Sequence, residues 1–261
     1  MRIVPAGNGW RWLREGWSIF ARSPVVWMLL VFSYWLVLSL IGAIPKIGPF
    51  VVLATLPAFA VSFMNIARLT AVGRQVTPME LVSGFRQNLR GIATLGVLYF
   101  FFFALAITLS ALVDGGDLAQ TLMVGRRTSD APPNPLAGVV AALVYLPVLL
   151  AYWFAPALAA WENMSAPKAL FYSFYAGWKN WRAMLVYGVV SSAIAFGGTF
   201  LLFELIALIA PSMLAAPTPG AAGPQGFLMF VLMPIILAGL SVLFASFFAS
   251  YRDVFPEHPP P

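Results

Sequence analysis

Glu204 stands inside a long apolar run. An ionisable group at bilayer depth costs about 3 kcal/mol or more, so by default it marks a proton or ion path. Ser191, Ser192 and Thr199 sit upstream in the same run and, with Glu204, make a candidate intramembrane polar site. Glu204 also lies only about two helical turns before Pro211. Three roles are open to it: a side chain that reaches water at the end of its span, a structural hydrogen bond between helices, or proton coupling. Gly188, Ser192, Ala195, Gly197, Gly198 and Thr199 give this run a small-residue face, which lets helices approach closely, and packing is the favoured role.

The residues needed for covalent or hydrolytic chemistry are missing. The chain has no cysteine, so no thiol nucleophile, thiolate metal site or disulfide can form. Its single histidine, His258, sits in a Pro-rich tail. No paired-carboxylate cluster, phosphate-cradling Gly loop or metal-ligand spacing is present. No catalytic residue, cofactor or metal is expected, and the chain reads as a non-enzyme.

A second set of residues recurs where apolar runs begin. Arg11, Arg14, Arg22, Arg86, Asn88, Arg90, Lys179, Asn180 and Arg182 are interleaved with Trp10, Trp17, Trp178 and Trp181. Basic groups beside apolar runs meet anionic lipid head groups, and tryptophan favours the membrane–water boundary. Asn and Arg at these breaks are expected to reach phosphates and water. The net charge of +6 is spread over these places, so anionic membrane lipids, and not nucleic acid, are the expected partners. Membrane-protein partners and a homo-oligomer are compatible with the same surface.

The elements that must position these groups follow from composition. The chain has 261 residues, 61% hydrophobic and only 9% charged, against about a quarter charged in a soluble domain. Six apolar stretches of about 20 residues or more run over 25–44, 47–67, 92–113, 136–160, 184–210 and 227–251. Three amphipathic stretches precede alternate spans. In the first, Asn8 is the expected N-cap, Trp10, Leu13, Trp17 and Phe20 form the apolar side, and Arg11, Arg14 and Arg22 oppose them. The second opens on Thr77-Pro78-Met79-Glu80, a capping-box pattern. The third sets Leu170, Phe171, Phe174, Trp178 and Trp181 against Lys168, Tyr172, Tyr175 and Lys179. Each is expected to lie in the membrane surface. Asn65 is expected at the interface, and 114–135 as a long loop. Twelve of the fifteen Lys and Arg fall on the side of both termini, so both ends are expected in the cytoplasm.

The spelling repeats. Asn88-Leu-Arg90 with Gly96-Val97 echoes Asn180-Trp-Arg182 with Gly188-Val189, and Leu146-Pro147 echoes Met233-Pro234. The expected architecture is an all-α polytopic membrane protein: six transmembrane helices plus three interfacial helices, in a pseudo-threefold repeat of surface helix and span pair. It forms one integral membrane domain with units 1–76, 77–165 and 166–261. The opening from Val4 through Gly9-Trp-Arg-Trp-Leu-Arg-Glu-Gly-Trp to Pro24, and the stretch Pro45…Gly48-Pro49…Leu56-Pro57, resemble an uncharacterised six-span bacterial inner-membrane protein family. The resemblance implies an inner-membrane location and carries no agreed activity. The expected function is structural or accessory, binding lipid or partner proteins at the cytoplasmic face. A small-solute transporter or channel, and an accessory subunit of a larger membrane complex, are the alternatives.

Overall fold

The structure is a computed structural model that describes residues 1–124, 134–209 and 224–256. Arg126-Arg127, the Pro/Gly/Ala loop over 211–223 and His258 lie outside the described residues. Among the described residues the chain is helical and has no strand. Six helices are long and apolar enough to cross a membrane: Pro24–Gly42, Gly48–Ala71, Leu89–Asp114, Pro135–Trp161, Trp181–Ile209 and Leu232–Val254. Each matches one expected span, with ends moved by a few residues. A helix closes its own backbone hydrogen bonds, which is what lets these apolar runs live in lipid.

In chain order the elements are α1 (Asn8–Phe20), α2 (Pro24–Gly42), α3 (Gly48–Ala71), a 3₁₀ segment (Pro78–Arg86), α4 (Leu89–Asp114), α5 (Asp117–Val124), α6 (Pro135–Trp161), α7 (Ala166–Lys179), α8 (Trp181–Ser192), a π turn (Ala193–Gly197), α9 (Gly198–Ile209) and α10 (Pro224–Val254). The fifth span is thus α8, the π turn and α9 in one run.

Three expectations change. Asn8 is a helical residue and Gly7 takes the cap position. The second amphipathic stretch is a 3₁₀ helix, because Gly84 is drawn against α3: its N–H donates to Ser62 Oγ at 3.0 Å, and a methyl there would strike the Ala58 carbonyl. The 114–135 connection contains α5, started by Asp114, whose carboxylate accepts from the N–H groups of Gly116 at 2.9 Å and Leu118 at 2.7 Å. Asn65 is buried within the protein.

The chain forms two compact units. In the first (Met1–Val37, Phe63–Leu81 and Asn180–Pro260), α1 packs on α8 and α10. Gly9 lies against the backbone of Ala183 and Tyr187, and Gly16 against Val242 and Ser246. Trp12, Leu13, Ile19 and Phe20 are buried. Leu13 and Phe20 therefore face protein, while Trp10 and Trp17 stay exposed. Phe63 and Phe244 stack at 4.0 Å between centroids, and Tyr34 stands edge-on to both.

In the second unit (Leu38–Ser62 and Val82–Lys179), α7 packs on α6 through Ala169, Ser173, Ala176 and Gly177. The Ser173 hydroxyl accepts from Phe154 N–H at 2.9 Å and donates to Leu150 C=O at 3.0 Å. Those two groups sit one helical turn apart in α6, so the serine joins the ladder of the helix it leans on. The Tyr152 hydroxyl donates to the Leu95 carbonyl at 2.8 Å, and Gly96 lies against Ala54.

Close backbone approach at these glycines is a stability determinant. Gly16→Ala and Gly96→Ala push a methyl into a neighbouring backbone and are expected to cost about 1–3 kcal/mol each. Melting in detergent should fall by several degrees for both. Gly188→Ala, with nothing within 4 Å, should leave it unchanged or raise it.

Candidate functional site

The most connected polar group is Asp253. It stands in the last turn of α10, where the sequence suggests a polar tail after residue 251. Its carboxylate accepts from Asn8 Nδ2 at 2.7 Å and Trp12 Nε1 at 2.9 Å. It also pairs with Arg11 Nη2 at 2.8 Å and with Arg2. Arg2 N–H adds a backbone bond to Val254 C=O at 2.7 Å. Asp253 is 8% exposed, so a lone charge there would be costly; two guanidiniums and two neutral donors balance it. The arrangement ties the segment before α1, and α1 itself, to the last turn of α10, with one donor on Oδ1 and three on Oδ2. Arg11, expected at head groups, directs its charge inward here. Nothing in the pattern around Asp253 marked it, although Asn8, Arg11 and Trp12 share one side of α1.

Three junctions precede spans, and each holds the chain just before an amphipathic segment. Asn180, ahead of α8, is 1% exposed; it accepts from Val4 N–H at 2.8 Å and donates to Arg2 C=O at 3.2 Å. Asn88, ahead of α4, takes a left-handed conformation (φ 37°); its side chain accepts from Gly91 N–H and donates to the carbonyls of Ala159 at 2.8 Å and Met164 at 3.0 Å. Arg22, ahead of α2, donates to Ala71 C=O at 2.6 Å and Thr70 C=O at 3.5 Å. Asn88 and Asn180, expected to reach phosphates and water, instead satisfy backbone groups. The reason is that backbone groups outside the helical ladder need partners: Arg2 and Val4 lie in the segment before α1, Ala159 in the last turn of α6 and Met164 just beyond it, and these claim the nearest amide.

The remaining basic and aromatic candidates are on the outside. Arg14, Arg86, Arg90 and Arg182 are exposed, as are Trp10, Trp17, Trp178 and Trp181. Lys179 lies 5.4 Å from the Tyr175 ring centroid and Arg182 5.6 Å from that of Trp181. On α7 the large aromatics Phe171, Phe174 and Trp178 are exposed while the small residues are covered.

The intramembrane set does not converge. No residue from Gly188 to Ile209 is buried. Ser191 Oγ donates to Gly188 C=O and Thr199 Oγ1 to Ala195 C=O, so both bond their own helix. Ser192 and Glu204 are exposed. Among the described residues nothing lies within 4 Å of a methyl built on Gly188, Gly197 or Gly198, so none of them brings another helix close to the small-residue face.

Helical folding throughout, six apolar helices of spanning length and polar groups devoted to joining helix ends define a polytopic membrane protein. Over 98% of its length the chain is 34% identical to a probable inner membrane protein of Burkholderia thailandensis, covering 94% of that protein, and it belongs to that protein's family. No protein-family model matches it. No solved structure matches it either.

Removing the Asp253 carboxylate leaves Arg2, Arg11, Asn8 and Trp12 without their shared acceptor. Asp253→Ala is expected to cost about 1–3 kcal/mol, since both arginine heads keep contact with solvent. Melting should drop, and limited proteolysis should cut sooner within residues 1–23. Unchanged proteolysis would show that the clasp is dispensable.

Proposed function

We propose that this inner-membrane protein works at the boundary between lipid and cytoplasm, binding acidic phospholipids or partner proteins there without catalysing a reaction. The carrying observation is the exposed set Trp10, Trp17, Arg14, Arg86, Arg90, Trp178, Trp181 and Arg182, which sits on or beside the segments that precede spans. With twelve of fifteen Lys and Arg on the side of the termini, both ends face the cytoplasm. Each such cation near an anionic surface contributes about 1 kcal/mol.

The transporter alternative rests on Ser191, Ser192, Thr199 and Glu204 lining a water-filled cavity, and their separate, exposed positions give it no support. The uncovered face of the fifth span favours a second reading, an accessory subunit or homo-oligomer whose partner helix covers Gly188 to Thr199. Gentle extraction, followed by identification of co-purifying chains and lipids, separates the two.

The double variant Arg90→Glu and Arg182→Glu is expected to lower association with anionic lipid by at least tenfold, read by native mass spectrometry or vesicle binding. Wild-type binding would remove the lipid role. Reporter fusions at residue 120 and after the C-terminus should map to opposite sides of the membrane. Finding them on one side would overturn the topology.

A further inference from the structure

The junction before α2 differs from the other two. Where Asn88 and Asn180 close directly on the neighbouring chain, Arg22 reaches across to the end of α3 and leaves a cleft of about 430 Å³. Arg22, Ser23, Thr70, Arg74 and Gln75 supply its polar lining, with Val26 among its walls. The position of Arg74 is set by the turn that ends α3. Gly73 N–H donates to Thr70 C=O at 3.1 Å and Arg74 N–H to Leu69 C=O at 2.9 Å, with Gly73 at φ 73°. This 5→2 and 6→1 pair is the Schellman pattern, and it fixes where the Arg74 side chain leaves the backbone.

The charges in and around the cleft are unbalanced. Among the described residues neither Arg22 nor Arg74 pairs with a carboxylate. Arg68 adds positive charge within electrostatic reach of Arg74, and Glu80, the acid nearby, acts on Arg68. Arg22 uses one nitrogen, Nη1, on carbonyls and keeps its other donors. Arg74 makes no side-chain hydrogen bond among the described residues. Two guanidiniums, a serine and a glutamine around one opening match the donor demand of a phosphate ester. The start of α2 adds positive potential through the amides of Val25 and Val26, which precede the first turn's hydrogen bond from Trp27 N–H to Ser23 C=O.

We infer that this cleft binds a phosphate anion, with Arg22 and Arg74, both in its lining, supplying the grip. The phosphate is that of an acidic phospholipid head group or of a soluble phosphate ester. The inference rests on the lipid-boundary reading above for its setting and adds a discrete site, with its own residues, to a surface otherwise bound by diffuse charge.

The test uses full-length protein and Arg74→Gln. The Arg74 side chain makes no hydrogen bond or ion pair among the described residues, and its backbone bond to Leu69 survives substitution, whereas the Arg22 side chain also serves the end of α3. Thermal stabilisation and retained lipid are measured in detergent with added phosphatidylglycerol, and separately with inorganic phosphate. Arg74→Gln should reduce the wild-type response about tenfold, and Arg74→Lys should restore part of it. Loss confined to phosphatidylglycerol identifies a lipid ligand. Loss of a response to inorganic phosphate identifies a soluble one. A wild-type response to both in Arg74→Gln, or no response in wild type, overturns the site. The Arg90→Glu and Arg182→Glu protein separates the two claims: if it loses vesicle binding while Arg74→Gln is silent, the cleft fails and the surface reading stands.

Discussion

A helix in lipid can pair every backbone group except those at its ends and at its prolines, and the bilayer interior offers no water to make up the difference. This protein meets that constraint with a small set of short polar side chains. Asn88 and Asn180 close helix junctions, Arg22 covers the last carbonyls of α3, and Ser62 ties the 3₁₀ segment to α3. Ser173 extends the same device to the middle of α6, between Pro147 and Pro156, by bonding both Leu150 and Phe154. Many of the buried polar side chains serve the backbone in this way, and the cluster around Asp253 is the counter-example, side chain to side chain.

Apolar packing then fills the space between these points, and it relies on the smallest residues. In lipid there is little hydrophobic gain in bringing two helices together, so close contact and dispersion matter more than buried area. Gly9 and Gly16 let α1 touch two helices, and Ala169, Ser173, Ala176 and Gly177 let α7 settle on α6. The aromatic residues divide: Trp12, Trp27, Phe63, Phe154 and Tyr251 are fully buried, while Trp10, Trp17, Phe171 and Trp178 face outward.

The spans were readable because length and apolarity alone specify them. The faces of the amphipathic stretches were less so. Trp10, Leu13, Trp17 and Phe20 form one stripe by spacing, but apolar spacing does not distinguish a protein neighbour from a lipid one; Leu13 and Phe20 went to protein, the tryptophans did not. The same ambiguity explains the small-residue stripes, which look alike on α7 and on the fifth span though only the first is covered. Asn88 and Asn180 were noticed for their type and place, yet their direction depends on which helix end lies opposite. That is a property of the three-dimensional arrangement and is absent from local spacing. Asp253 was missed because its four partners lie some 240 residues away in the chain.

The join between Arg2 and Val254 sets an order of assembly. During synthesis α1 emerges well before the helices that receive it, since α8 and α10 follow it by about 160 residues or more. Until then its glycine-lined side, with Trp12, has no protein to rest on. The earlier helix therefore waits for the later ones, and a chain lacking Asp253 would keep its spans without the latch.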